Sequence, residues 1–150
     1  MLWLAGLMGM MVLGSLAVFG THDSASDDAG DDVLREFAAL MRTVIRQADV
    51  AARWGGEEFL VLLPDTSLLQ ALSLAERLRS QVARHPFRFR DQALPVTISA
   101  GVCSIAKARS LDDLLKQADL NLYNAKESGR NRIAPRVRSQ ESEPSPTHSP

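Results

Sequence analysis

Two adjacent glycines followed by two adjacent carboxylates are the residues of this sequence whose types and spacing best suit chemistry. They occur in RWGGEEF, residues 53–59, which runs directly into the apolar stretch LVLLP, typical of a buried strand. Glycines let a ligand approach the backbone closely, and a carboxylate can bind a divalent cation. A glycine turn with two solvated acids is the simpler interpretation, but core packing gives no reason for adjacent acids at a turn.

Two further pairs of charged residues lie close together in the sequence. Lys126 and Arg130 lie at positions i and i+4 near the end of a predicted helix, so they project from one face. Arg46 and Asp49 belong to the sequence RQAD, and a guanidinium fork suits phosphates and base edges. The simpler interpretations are cations favoured by the helix dipole for the first pair and ordinary surface residues for the second.

Length and charge exclude several function classes. A chain of 150 residues suits one domain with an ordinary core, and 17 basic against 18 acidic residues leave no net field that would attract nucleic acid. We therefore expect no nucleic-acid partner. The single cysteine, Cys103, excludes an internal disulfide, and its place in the apolar stretch VTISAGVCSI predicts a buried core residue.

The two ends of the chain differ from the middle. Residues 2–20 carry no charge and approach the length of about 20 apolar residues that crosses a bilayer, so residues 1–21 are interpreted as an apolar segment containing a transmembrane helix. The domain would then face the cytoplasm, anchored in the inner membrane. A buried strand or helix of the fold is a second interpretation, and a mis-started reading frame is a third. Residues 136–150 are rich in Ser and Pro, which predicts a disordered tail.

Hydrophobic periodicity predicts the elements at the start of the middle region. Apolar positions at helical spacing predict a first helix over residues 31–46. Two extended runs flanking Gly55 and Gly56 predict a β-hairpin with the two acids at its tip.

Cap and turn residues predict the remaining elements. A second helix is predicted to begin after Ser67 and to stop at Pro86, and the strands FRFR and VTISAGVCSI follow it. A third helix is predicted from the cap Ser110 to Gly129. This order predicts an α/β fold, an α+β sandwich in which helices pack over a mixed β-sheet.

Three segments together resemble the GGDEF domain, the catalytic module of diguanylate cyclases. They are GGEEF at residues 55–59, LPVTISAGV at residues 94–102 and ADLNLYNAKESGRNRI at residues 118–133, in the family's order and at compatible spacing. The resemblance assigns residues 22–135 to a partial GGDEF domain and implies the family's nucleotidyl-cyclase-like fold.

The resemblance implies a reaction for the hairpin tip. The family condenses two GTP molecules into cyclic di-GMP with release of pyrophosphate in bacterial second-messenger signalling, and the use of two facing domains implies a homodimer. Gly55 and Gly56 would let the nucleotide approach, Glu57 would bind Mg²⁺, and Glu58 would lie near the reacting hydroxyl. Such phosphoryl transfer depends mainly on positioning and charge neutralisation.

The resemblance also implies substrate and product contacts elsewhere. Lys126 and Arg130 would hold the triphosphate, and Asp31 would accept hydrogen bonds from the guanine edge. His22 stands where the family has a guanine-reading asparagine. The inhibitory site that binds the product cyclic di-GMP would comprise three residues: Arg46, Asp49 and Arg77.

The N-terminal part of the chain departs from the family pattern. Gly14 falls where a metal-binding aspartate is expected, and Phe19 falls where a lysine is expected. We therefore expect the domain to lack the family's usual first strand, which would leave an unpaired sheet edge. The abrupt change near Asp28 favours a truncated or frame-shifted coding region.

Two function classes follow from this mixture of matches and departures. One is a diguanylate cyclase that uses the hairpin acids and the cations of the third predicted helix. The other is a catalytically inactive module that senses GTP or cyclic di-GMP. Product formation from GTP and Mg²⁺ separates the two.

Overall fold

The computed structural model of this chain describes residues 9–18 and 26–136. Its helices are α1 (Ser26–Val44), α2 (Leu68–Arg84) and α3 (Leu111–Glu127). Its strands are β1 (Gly9–Val18), β2 (Val50–Arg53), β3 (Glu58–Pro64), β4 (Arg88–Phe89), β5 (Gln92–Ala93), β6 (Val96–Ser104) and β7 (Ile133–Ala134). The expected tail, apart from Arg136, lies outside the described residues.

Five of these strands form one mixed sheet in the order β2-β3-β1-β6-β7. Neighbouring strands are antiparallel except β6 and β7, which are parallel. Apolar side chains from one face of the sheet form a core with α1 and α2, and those from the other face form a core with α3. The predicted α+β class with a mixed sheet and flanking helices is confirmed.

The apolar N-terminal run contains the central strand of the sheet. Over residues 9–18, β1 pairs with β3 from Gly9 opposite Pro64 to Ser15 opposite Glu58, and with β6 from Met10 opposite Ser104 onwards. Alternate side chains enter opposite cores. Both faces of the strand are buried, and for this reason all of its residues except Ser15 are apolar or glycine.

Two expectations are therefore corrected. A transmembrane helix over residues 2–20 is wrong for residues 9–18, which are extended and paired on both sides. The expectation that the first strand is missing is also wrong, and the alternative of a buried strand holds for these residues. None of the helices in the described ranges is long and apolar enough to cross a bilayer.

The helix ends follow the predicted signals. Ser67 and Gln70 form a reciprocal capping box at the start of α2, and the Ser110 hydroxyl accepts a hydrogen bond from the Asp113 amide at the start of α3. Gly129, just after α3, has a φ of +115°. The first helix differs from its prediction because it begins at Ser26 and ends at Val44.

Cys103 is buried between β1 and α3, as predicted. Burial raises the pKa of its thiol to about 11 because the charged thiolate is poorly solvated there. The cysteine is therefore a packing residue.

Gly101 in β6 marks the closest approach of α3 to the sheet. A Cβ at this position would lie 2.6 Å from the Leu122 nitrogen and 2.8 Å from the Ala118 oxygen. Both atoms belong to helix backbone, which cannot move aside locally. The position therefore requires glycine.

We expect Gly101→Ala to lower the free energy of unfolding by about 1–3 kcal/mol, the usual effect of overpacking. Chemical denaturation followed by circular dichroism measures this change. Gly30→Ala is the matched control, because a Cβ there meets nothing within 4 Å and alanine favours the helix interior. Equal stability of Gly101→Ala and the unmodified chain would show that α3 does not pack this closely on β6.

Candidate functional site

The turn between β2 and β3 carries the GGEEF residues at one end of the sheet. The Trp54 amide donates a hydrogen bond of 2.9 Å to the Glu58 carbonyl, which closes the hairpin as predicted. Gly55 and Gly56 are exposed, and a Cβ at Gly56 would meet nothing within 4 Å. The tip therefore has open space above its backbone.

Arg53 fixes the shape of this glycine turn. Its Nε donates to the Gly55 carbonyl at 3.0 Å, and its Nη2 donates to the Gly56 carbonyl at 2.7 Å. From the other side, the Leu16 amide of β1 donates to the Glu57 carbonyl at 2.9 Å. Three carbonyls of the turn are thus held by the protein, which preorganises a loop that its glycines alone would leave free.

The two hairpin acids differ in their surroundings. Glu57 is exposed at the tip, whereas Glu58 is half-buried and begins β3. The Glu58 side chain also lines a mainly apolar cleft of about 250 Å³ between α1 and the hairpin. Leu16, Arg42 and Phe59 are among the other residues that line this cleft.

The tip offers an incomplete set of ligands for Mg²⁺. In nucleotide sites this ion usually takes one or two protein carboxylates together with phosphates and waters, and Glu57 can act as one of them. The second position implied by the family resemblance is Gly14, which has no side chain. A Cβ there would overlap the ring of Phe59, so the Phe59 ring has filled the available space. Among the described residues no cluster of three His, Cys, Asp or Glu side chains could hold a metal ion.

The predicted substrate residues are spread over separate elements. Asp31 is exposed in α1, Lys126 is half-buried in the last turn of α3, and Arg130 is exposed in the turn that follows α3. None of the hydrogen bonds among the described residues uses these three side chains. His22 lies outside the described residues.

Arg46 and Asp49 lie between α1 and β2 and form a hydrogen-bonded cluster. The Asp49 carboxylate is fully buried, accepts from the Arg46 backbone N–H at 2.7 Å, and pairs with the Arg46 guanidinium at 3.2 Å. Arg46 Nη2 also donates to the Thr66 hydroxyl oxygen at 2.6 Å and to the Pro64 carbonyl at 3.1 Å. The structure thus joins the two residues of the RQAD sequence in one ion pair.

Arg77 reaches the same region from α2. Its Nη2 donates to the Val44 carbonyl at 2.9 Å, and it lines a shallow cleft of about 430 Å³ together with Arg46 and Thr66. The Arg46 contacts use Nε and Nη2, so within the described ranges the Nη1 donors have no protein acceptor. Two guanidinium groups therefore border one open cleft, an arrangement suited to a phosphate-bearing ligand.

Sequence reasoning missed two residues of these sites, Arg53 and Thr66. Arg53 lies just before the glycine turn, and a guanidinium in that position is a local signal that its donors bind the turn carbonyls. Thr66 directly precedes Ser67, the N-cap residue of α2. Its contact with Arg46 joins residues far apart in the chain and has no local signal.

Comparisons with known proteins agree with this geometry. The family profile described as "Diguanylate cyclase, GGDEF domain" matches residues 20–132. The response regulator PleD of Caulobacter vibrioides is 45% identical over 115 residues, which cover 75% of this chain and 25% of that protein. The diguanylate cyclase DgcP of Pseudomonas aeruginosa is 46% identical over 112 residues, which cover 75% of this chain and 17% of that protein. The chain thus spans about a quarter or less of these relatives.

Solved structures show the same fold. The diguanylate cyclase SiaD of Pseudomonas aeruginosa, in complex with its activator SiaC, is 38% identical with a TM-score of 0.71, and the match covers 83% of this chain and 49% of that chain. The active GGEEF domain of a diguanylate cyclase from Vibrio cholerae is 31% identical with a TM-score of 0.68, and the match covers 85% of each chain. Because the profile spans most of the chain and the relatives match the same segment, this chain belongs to the GGDEF domain family of diguanylate cyclases.

Proposed function

We propose that this domain condenses two GTP molecules into cyclic di-GMP, as the catalytic part of a diguanylate cyclase. The preorganised GGEEF tip carries the proposal, since it combines an open glycine backbone, an exposed carboxylate at Glu57 and a half-buried carboxylate at Glu58. Two copies of the domain face each other, each holding one GTP. Residues 55–59 match the GGEEF form of the family motif, which supports this assignment, whereas Gly14 and His22 depart from the family pattern.

In this reaction each ribose hydroxyl attacks the α-phosphorus of the other GTP. The new P–O bond forms as the bond to the β-phosphate breaks, pyrophosphate leaves, and Glu58 accepts the hydroxyl proton. Glu57 would hold Mg²⁺, and the ion would supply positive charge that neutralises the phosphates. Lys126 and Arg130 hold the triphosphate, while Asp31 and His22 read the guanine edge.

Glu58→Gln tests the assigned base while keeping the size of the side chain. We expect product formation from GTP and Mg²⁺ to fall by about 10²-fold or more, the lower bound for loss of a general base. Chromatography of the reaction mixture measures cyclic di-GMP. Glu127→Gln, in the last turn of α3, is the control for removing one exposed carboxylate. Equal turnover by Glu58→Gln and the unmodified chain would contradict the role of Glu58.

The cleft beside Arg46 is proposed to bind the product cyclic di-GMP. Arg46 and Arg77 border it, and the buried Asp49 holds the Arg46 guanidinium in place. The crystal structure of DgcB from Caulobacter crescentus, 25% identical with a TM-score of 0.66, contains cyclic di-GMP and supports binding of this ligand by the fold.

Arg77→Ala tests this product site with little risk to the fold, because the Arg46–Asp49 pair remains. We expect the affinity for cyclic di-GMP, measured by calorimetry, to fall by about tenfold, which corresponds to about 1.4 kcal/mol. Arg35→Ala is the control, since Arg35 is an exposed cation of α1 that, among the described residues, pairs only with Asp32. An unchanged dissociation constant would remove Arg77 from the site.

A second function is favoured by one observation, the ring of Phe59 beside Gly14. If one carboxylate is too few to hold Mg²⁺, the domain binds GTP or cyclic di-GMP without turnover and acts as a sensor. The unmodified chain then forms no product although it binds cyclic di-GMP.

For this second function we expect Gly14→Asp combined with Phe59→Leu to create activity. The aspartate restores a second carboxylate, and leucine removes the ring that a side chain at position 14 would overlap. Product formation and Mn²⁺ binding by electron paramagnetic resonance are measured. Gly14→Asn with Phe59→Leu is the uncharged control. Robust turnover by the unmodified chain would reject the sensor function.

A further inference from the structure

The turn after α3 has an unusual backbone that other elements hold in place. Gly129, Arg130 and Asn131 have φ values of +115°, +58° and +46°. The left-handed region is natural for glycine and tolerated by asparagine, but an arginine there is uncommon. A turn of three such residues requires contacts that favour it over extended alternatives.

Besides the hydrogen bonds from the Gly129 amide to the Lys126 carbonyl at 3.2 Å and from Arg132 Nε to the Arg130 carbonyl at 3.0 Å, three hydrogen bonds supply those contacts. The Arg130 amide donates to the Ala125 carbonyl at 3.1 Å, and the Asn131 amide donates to the Ser99 hydroxyl oxygen at 3.0 Å. The third contact comes from α2, where Arg79 Nη1 donates to the Asn131 side-chain oxygen at 2.8 Å. Ser99 is buried in β6, so the turn is bound to the sheet on one side and to α2 on the other.

Arg79 is itself oriented by a bidentate ion pair with Glu76. Its Nε donates to Glu76 Oε2 at 2.9 Å, and its Nη2 donates to Glu76 Oε1. This contact lowers the pKa of Glu76 and raises the pKa of Arg79, so both groups stay charged near neutral pH. The side chain of Arg79 is only 21% exposed. Its guanidinium is therefore directed at Asn131 by a preformed pair.

We propose that Arg79 is a positioning residue for the phosphate-binding cations, acting through Asn131 to hold the turn that presents Arg130. This inference rests on the proposed function, in which Arg130 and Lys126 hold the triphosphate. Arg79 does not touch the ligand. The hydrogen bond from its guanidinium to Asn131 instead stabilises the left-handed turn. This turn places Arg130 directly after the end of α3.

The contacts of α2 make this role separable from product binding. Arg77 donates to the Val44 carbonyl at the end of α1, whereas Arg79 donates to Asn131 after α3. The two arginines of one helix thus serve different sites. A substitution of Arg79 is therefore expected to weaken the binding of GTP and to leave the affinity for cyclic di-GMP unchanged.

The test measures binding of a GTP analogue with a methylene group between the α- and β-phosphates, which cannot release pyrophosphate. In the full chain with Mg²⁺, Arg79→Leu is expected to weaken its binding by about tenfold, the loss of one charge-assisted contact. Asn131→Gly, which keeps the left-handed turn accessible but removes the acceptor, is expected to weaken binding similarly. The double variant is expected to lose no more than either single variant, because both act through one contact.

Control variants and a second ligand exclude a purely structural effect. Arg79→Lys keeps the positive charge but loses the bidentate guanidinium. We expect its affinity for the analogue to lie between that of Arg79→Leu and that of the unmodified chain. Arg84→Ala, an exposed cation in the last turn of α2, is expected to change nothing. The affinity for cyclic di-GMP is expected to stay constant in all variants. A lower melting temperature with unchanged analogue binding would overturn the proposal, as would additive losses in the double variant.

A ligand-independent measurement separates this inference from the proposed function. Hydrogen exchange of the Arg130 and Asn131 amides is expected to accelerate in Arg79→Leu, because both amides are held by the turn. If the unmodified chain does not bind the analogue, the proposed function fails, while faster exchange still supports the positioning role. Unchanged exchange would overturn the positioning role whatever the chain binds.

Discussion

The register of β1 between β3 and β6 is the constraint on which the rest of the structure depends. Its side chains alternate between two cores, with Met10 and Val12 on the α1 and α2 face and Met11 and Leu13 on the α3 face. A slip by one residue would exchange these sets. Since the Leu16 amide binds the Glu57 carbonyl, the same register also fixes the hairpin tip.

Arginine side chains complete the ends of several elements. Arg46 donates to the Pro64 carbonyl at the end of β3, Arg77 to the Val44 carbonyl at the end of α1, and Arg53 to the carbonyls of the glycine turn. Terminal carbonyls lack partners within their own element, and a guanidinium can reach two or more of them. The same groups that stabilise element ends therefore border the sites, which explains why arginines, and not lysines, occupy these positions.

The sequence predicted those parts whose signals are local. The caps Ser67 and Ser110 and the glycine hairpin depend on neighbouring residues, and the structure confirms them. A buried strand was only the second interpretation of the segment that contains β1, because an apolar run that is buried on both faces has no polar alternation to distinguish it from a membrane helix. The contact of Arg79 with Asn131 joins residues 52 positions apart, so only the fold could reveal it.

The two sites differ in how far they depend on the residues of β1. The cleft proposed to bind the product depends on Arg46, Asp49 and Arg77, which are held by α1, α2 and the end of β3. Within the described ranges, none of the hydrogen bonds of these three side chains involves β1. The position of the hairpin tip is fixed by the pairing of β3 with β1. The cation site proposed there lacks a second carboxylate because position 14 is glycine. Under the proposed function, the departure of β1 from the family pattern therefore lowers turnover before it weakens product binding. A chain that keeps its register but changes the residues of β1 can lose turnover while its fold and its product cleft persist.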